Sequence, residues 1–377
     1  MPQFHLVRRT DVSLAKRILY YVIGVVISIG IGAFLLMFLD INPFDYYKDM
    51  FTIGLIGNPY AYKSVEGLIQ LFVPLLITSV ALALSFKMRF WNVGGEGQFI
   101  IGAVVASAIA YSNTNLPGFV VLIMMCVAAM VSSGIIGLAI AFLKMKFNTN
   151  ETLATLMINY IALYFVSYIG ETKADWNYFL REDSERPVFA RFPENATMPA
   201  IKLGDFSLLY SMIIAVLIAV VVYIYLKYTK QGYEISVVGD SSNTARYAGM
   251  NVSKIVLRTM FLSAALIGLS GAFTASASGA LSASITNNVG WTGVIVAWLS
   301  KLSVPAIAVT SLLISVLQYG CKVAASSYPS IDSHFADLLQ GIILFAILMA
   351  DFCANFKLAR KASETANKAD SKKEEVK

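Results

Sequence analysis

Charge is scarce in this sequence. Only 14% of its 377 residues are Asp, Glu, Lys or Arg, and 57% are hydrophobic. An ordinary soluble domain carries about 25% charged residues. Histidine occurs twice, as His5 and His334, which argues against a histidine-built metal centre. The three cysteines, Cys126, Cys321 and Cys353, form no C-x-x-C pair, so neither a metal site nor a disulfide framework is expected. No Gly-Lys dipeptide occurs, which rules out a Walker A phosphate loop in this chain. The apolar stretches hold no His/Asp metal cluster and no convincing nucleophile–base pair, so no catalytic residue is assigned.

What is abundant is uninterrupted apolar sequence. Gly97 to Leu143 is a run of 47 residues without a charge, and Thr259 to Ser300 is another of 42. A bilayer core needs about 20 apolar residues per helix, so each run holds two spans. The fold expected is all-α: a polytopic membrane helix bundle of about ten segments. These lie near 18–39, 68–86, 93–111, 119–143, 152–170, 206–226, 259–280, 289–300, 302–320 and 335–352. The first follows basic residues (Arg8, Arg9, Lys16, Arg17) without a small-x-small cleavage site, and reads as a retained helix. In the seventh, 13 of the 17 residues from Gly268 to Ser284 are Gly, Ala or Ser, the composition that lets helix backbones approach closely in lipid.

Three polar stretches punctuate the spans. Residues 171–205 hold twelve charges and three of the ten prolines and read as an external loop or small cap. Residues 227–258 form a second polar loop. Lys357 to Lys377 carries 11 charges in 21 residues, as a disordered tail would. Ten segments put both termini on one side. With the N-terminus inside, 21 basic and 10 acidic residues fall on the cytoplasmic side, and 8 and 13 outside. That distribution supports an N-in, C-in orientation. The net charge of +6 therefore records orientation and does not suggest a nucleic-acid partner.

The segments also repeat. Asn92-Val-Gly-Gly-Glu-Gly97 and Asn288-Val-Gly-Trp-Thr-Gly293 agree at four of six positions, and each opens the third helix of a five-helix half. Five is odd, so the halves would be inverted, as in many transporters. Glycines here permit irregular backbone and leave helix N-termini whose N–H groups could face a polar ligand. Glu96 is ionisable and lies at or within the membrane, where charge is often functional. Its plainer reading is a capping carboxylate paired with Lys87 or Arg89.

The stretch Phe90-Trp-Asn-Val-Gly-Gly-Glu-Gly-Gln98, followed by Ile101-Gly-Ala103, resembles the Asn-Ile-Gly-x-Glu-Gly-Gln signature of ABC-transporter permeases of the branched-chain amino acid, ribose and nucleoside group. The Glu-Gly-Gln form is typical of the simple-sugar and nucleoside branch. Gly239 through Asn243 to Ala245-Arg-Tyr-Ala-Gly249 resembles that family's cytoplasmic loop. Gly290-Trp-Thr-Gly293, Val296-Ala297 and Leu299-Ser-Lys301 resemble its second-half motif. Gly95, Ser300 and the position of Pro305 depart from the pattern, and 171–205 matches no motif.

The resemblance implies a permease subunit, not an enzyme, in a bacterial plasma membrane. It implies a cytoplasmic ABC ATPase that uses ATP, a second permease subunit (identical or paralogous) and an extracellular substrate-binding lipoprotein. No cofactor is expected in this chain. The domain organisation is then a cytoplasmic N-terminus 1–17, a permease domain 18–352 and a charged tail 353–377. The expected cargo is a nucleoside, with a simple sugar as the alternative. Candidate pathway residues are Asn92, Glu96, Gln98, Asn287, Asn288 and Trp291, whose amides and ring suit hydrogen bonding and stacking. Candidate ATPase-coupling residues are Gly239, Asn243, Ala245, Arg246, Tyr247 and Gly249, on a short helix capped by Ser241 or Ser242 and stopped at Gly249. An ion-coupled transporter would favour carboxylates within the spans, whereas Glu96, Glu151, Asp337 and Asp351 fall near segment ends. A channel fits the composition, but nothing specifies a filter.

Overall fold

The computed structural model describes residues 4–8, 13–52, 61–328, 331 and 333–360. In chain order its elements are β1 (Phe4–Arg8), α1 (Leu14–Phe38), α2 (Pro43–Phe51), α3 (Ala61–Lys87), α4 (Gly95–Ser112), α5 (Gly118–Phe147), α6 (Glu151–Glu171), β2 (Ala200–Leu203), β3 (Phe206–Leu209), α7 (Tyr210–Tyr228), α8 (Lys230–Asp240), α9 (Ser242–Tyr247), α10 (Val252–Ser278), α11 (Val289–Leu299), α12 (Val304–Ser326), α13 (Ser333–Asn355) and β4 (Phe356–Arg360). The protein is a mostly helical, multi-pass bundle. Eight described helices are long and apolar enough to cross a bilayer: the Leu19–Phe38 part of α1, then α3, α5, α6, α7, α10, α12 and the Asp337–Asn355 part of α13. Helix α4 opens on Glu96 and Gln98. Helix α11 has 11 residues and rises about 16 Å, half of a hydrocarbon core about 30 Å thick.

The chain divides into two compact units. One comprises Met1–Lys48 and Ala324–Lys377. Within it α1 packs on α13, where Gly24 lies against Ala346 and Ala350, and the Tyr21 hydroxyl donates to Asp351 Oδ1 at 2.6 Å. Strands β1 and β4 pair antiparallel. This corrects the start of the tail: α13 continues through residues 353–355, and Phe356–Arg360 forms a strand. The two short alternating sequences, FHLVR and FKLAR, satisfy each other's backbone groups. Residues 361–377 of that expected tail lie outside the described residues.

The other unit, Asp49–Val323, is built around α3 and α10. Both are mostly buried, whereas α5, α6 and α7 turn much of their apolar surface outward, as lipid-facing helices do. The small residues of α10 explain its central place. A side chain on Gly102 of α4 would run into the Gly268 backbone, and one on Gly268 would run into Ala129 and Ser133 of α5, so α10 packs intimately against α4 and α5. Two buried hydroxyls in this core find carbonyls: Ser133 Oγ donates to Gln98 O and Ser263 Oγ to Ala81 O, each at 2.7 Å.

Two stretches differ from expectation. Residues 206–209 do not begin the sixth span but pair as β3 with β2, and α7 starts at Tyr210. Residues 227–258 are helical for most of their length rather than a loop. Thr229, Ser241 and Asn251 each accept a first-turn N–H, starting α8, α9 and α10 in succession. The 172–205 stretch is a folded cap. The Asn195 amide nitrogen lies 2.9–3.1 Å from the carbonyls of Asn113, Thr114 and Leu116, and the Ser276 hydroxyl donates to Ala196 O at 2.8 Å.

Candidate functional site

The two copies of the repeated motif meet. The α11 N-terminus begins at Asn288, whose backbone is left-handed and whose side chain makes no capping bond. The first-turn N–H groups of α11 would then lack a partner. Glu96, in the first turn of α4, fills that role. Its Oε2 accepts from the Gly290 N–H at 2.8 Å, and the Thr286 side chain and Trp291 N–H also reach the carboxylate. A carboxylate at a helix N-terminus is favoured by both hydrogen bonding and the helix dipole. Glu96 is 2% exposed. Gly290 must be glycine because a Cβ there would run into the backbone of Glu96.

This arrangement corrects the plainer reading of Glu96. It is a capping carboxylate, but for α11, with no bond to Lys87 or Arg89. Of the N–H groups expected to face a ligand, those of Gly97, Gly290 and Trp291 are taken within the protein. At α4 the Gly97 N–H donates to Asn159 Oδ1 at 2.8 Å. Asn92 and Gln98, both fully buried, exchange reciprocal amide bonds at 3.1 and 3.2 Å. Asn287 accepts from Lys322 Nζ at 2.7 Å. Asn288 is exposed, and Trp291 is half-buried. The structure thus gathers Glu96 and Trp291 in one cluster and Asn92 with Gln98 in another, while Asn287 is bonded to α12.

Two residues that hold this turn were missed in the sequence. Thr155 Oγ1 accepts from the Val93 N–H at 3.2 Å, and Asn159 Nδ2 donates to Val93 O at 3.0 Å. They stand four apart on α6, and a polar pair at that spacing in an apolar helix was the available signal. Trp91 and Trp298 were also missed. Their rings stack at 5.0 Å with Phe86 beside them.

The second cluster surrounds α9. Ser241 caps it, Ala245 is buried beneath it, and Asn243, Arg246 and Tyr247 lie on the exposed side, Tyr247 94% exposed. Gly249 follows with φ +75°. Gly239, near the end of α8, abuts the Lys87 carbonyl at the end of α3, leaving no room for a side chain. A polar cavity of about 670 Å³ lies between this region and the α5–α6 turn, with Arg89, Lys144, Glu151, Asp240 and Arg246 among its lining. Lys144 and Glu151 pair in its lining at 2.7 Å. Arg258 of α10 bonds Glu234 of α8 at 3.1 Å, so α8 is tied to two core helices.

Fold and site together define a multi-pass membrane protein whose two motif-bearing helices meet end to end and whose α8–α9 segment is braced against its core. The chain belongs to the family described as the permease component of the branched-chain amino acid transport system, whose family model matches residues 64–348. It is similar to the glucose ABC transporter permease protein TsgB13 of Haloferax volcanii, 26% identical over 349 residues, covering 89% of this chain and 88% of that one. It is similar to the nucleoside ABC transporter permease protein NupB of Lactococcus lactis subsp. cremoris, 25% identical, covering 96% and 98%. The guanosine ABC transporter permease protein NupP of Bacillus subtilis is 25% identical, covering 94% and 100%.

Proposed function

We propose that this chain is the permease subunit of an ATP-binding-cassette importer that moves a nucleoside into a bacterial cell by alternating access. The observation that carries this reading is the near end-to-end similarity to two permeases named for nucleoside and guanosine transport. The glucose permease relative favours a simple sugar as the second reading. The chain itself is not an enzyme and holds no cofactor in this reading; ATP is used by a cytoplasmic ABC ATPase. A second permease subunit, identical or paralogous, and an extracellular substrate-binding lipoprotein complete the assembly.

In this reading ten segments cross the plasma membrane as two inverted five-helix halves, N-in and C-in. Residues 1–17 and the tail are cytoplasmic, and the 172–205 cap is external. The meeting of the α4 and α11 N-termini supports a pair of related halves. The path runs beside that junction, along Asn92, Glu96, Gln98, Asn287, Asn288 and Trp291. Gly239, Asn243, Ala245, Arg246, Tyr247 and Gly249 form the ATPase-coupling element. The exposed α9 sits in a groove of the ATPase, and bracing of α8 by α3 and α10 passes rigid-body motion into the bundle.

Uptake by vesicles containing the assembled transporter, with ATP inside and the proton and sodium gradients collapsed, tests this. Nucleoside uptake should persist. Loss of uptake under those conditions points to an ion-coupled transporter, and uptake of glucose alone selects the sugar reading.

A further inference from the structure

Helix α12 carries a line of polar residues through an apolar span. Ser311, Ser315, Gln318 and Lys322 are spaced by 4, 3 and 4 residues. That spacing puts them on one helical face along about 16 Å of its length. Ser311 and Ser315 are 0% exposed and Gln318 2%. Neither serine hydroxyl has a hydrogen-bond partner among the described residues. A serine in a spanning helix ordinarily bonds back to its own backbone, as Ser107 does to Ala103 O at 2.7 Å. Interior hydroxyls without partners are unfavourable, and two on one face point to a partner that comes and goes.

The line ends at a left-handed corner. Gln318 Nε2 donates to the Asn287 carbonyl at 3.2 Å, and Lys322 Nζ to Asn287 Oδ1 at 2.7 Å. Asn287 and Asn288 have φ of 45° and 59°, the left-handed region that asparagine enters more readily than most residues. Asn288 is exposed, as are Ala283 and Ser284 shortly before it. Lys322 is also the one charged residue within α12, about one turn before its end.

We infer that this face of α12 is the hydrogen-bonding wall of the substrate path. Asn287 and Lys322 form the corner that first holds the solute, and Ser315 and Ser311 supply the hydroxyls it meets next. The inference rests on the import reading above and names the contacts that reading needs. Lys322 and Gln318 offer N–H donors to the ring nitrogens, carbonyls and ribose oxygens of a nucleoside. The serine hydroxyls both donate and accept, matching sugar hydroxyls. None of these four face residues is a carboxylate, and donors and hydroxyls of this kind suit an uncharged, acceptor-rich solute. The buried serines are reached once the bundle opens around the exposed Asn288 end.

The test uses the complete transporter in proteoliposomes with its binding protein. Initial uptake rates are measured for a ribonucleoside and its 2′-deoxy counterpart, each at a concentration that saturates the binding protein. Its affinity then drops out of the comparison. S311A/S315A should shift the ratio of the two rates by at least about threefold, the effect of one modest hydrogen bond. K322M should shift it too, and K322R should restore part of the change. The alanine pair alters volume little, so it decides the matter even if K322M does not assemble. If the variants change both rates in equal proportion, or neither rate, the face is structural and the inference fails. If the wild type moves glucose and no nucleoside, the nucleoside reading fails, and the wall is judged by the ratio of glucose to 2-deoxyglucose uptake.

Discussion

The Glu96 carboxylate caps the Gly290 N–H at 2.8 Å although 194 positions separate them in the chain. The bond joins the first turn of α4 to the first turn of α11, the two places where the repeated motif stands. E96Q keeps the shape but exchanges the carboxyl oxygen for a weaker amide acceptor, a loss of about 0.5–1 kcal/mol. E96A strands buried N–H groups at about 1–3 kcal/mol. Thermal melting of the purified permease should therefore rank wild type, E96Q and E96A in falling order. Equal melting of E96A and wild type would show that water replaces the carboxylate.

Gly239 and Gly249 should respond differently to substitution. A methyl group at Gly239 meets the Lys87 carbonyl, so G239A must push α8 away from α3. Gly249 has open space around it and only its φ of +75° to protect, a cost of about 1–2 kcal/mol for alanine. G239A should leave ATPase bound but abolish stimulation of ATP hydrolysis by loaded binding protein. G249A should retain much of it. The opposite order would break the bracing argument.

Tyr247 is a large aromatic residue left almost wholly exposed at the end of a capped helix. Aromatic anchors of this sort carry much of the energy of protein interfaces. Y247A should weaken ATPase binding by about 2 kcal/mol, or roughly 30-fold, and R246E should weaken it further in low salt. Quantitative pull-down of the ATPase measures both. Unchanged recovery with Y247A would place the interface elsewhere.

Asn159 uses both ends of its amide on the backbone between Val93 and Gly97. N159L removes donor and acceptor together and leaves a buried N–H and a buried carbonyl, a loss of about 2 kcal/mol or more. N159D keeps the acceptor and should fall between the two. Differential scanning calorimetry on the nanodisc-embedded permease would rank them, and a leucine variant as stable as wild type would exclude the clamp.

Much of the fold was legible because lipid imposes a simple rule. Apolar length marks spans, and most of the expected segments lie within a few residues of the observed helices. Helix ends were less legible where polar residues continue a helix. Lys254 and Arg258 belong to α10, which Asn251 caps and which starts at Val252, ahead of the uncharged run. The capping of α9 by Ser241 and the stop at Gly249 were readable because both are local events on one short stretch. The partner of Glu96 was not, because Lys87 and Arg89 are its nearest basic residues in sequence and nothing local names Gly290.

The sequence by itself determined the class of protein, the apolar runs, the repeated motif and the family, since each depends on composition or on short contiguous patterns. Only the tertiary structure decided which buried polar groups pair. It placed Glu96 on α11, Asn159 on the turn before α4, and Lys322 with Gln318 on Asn287. In a water-free interior each polar group must find its partner through space, and that search is blind to distance along the chain.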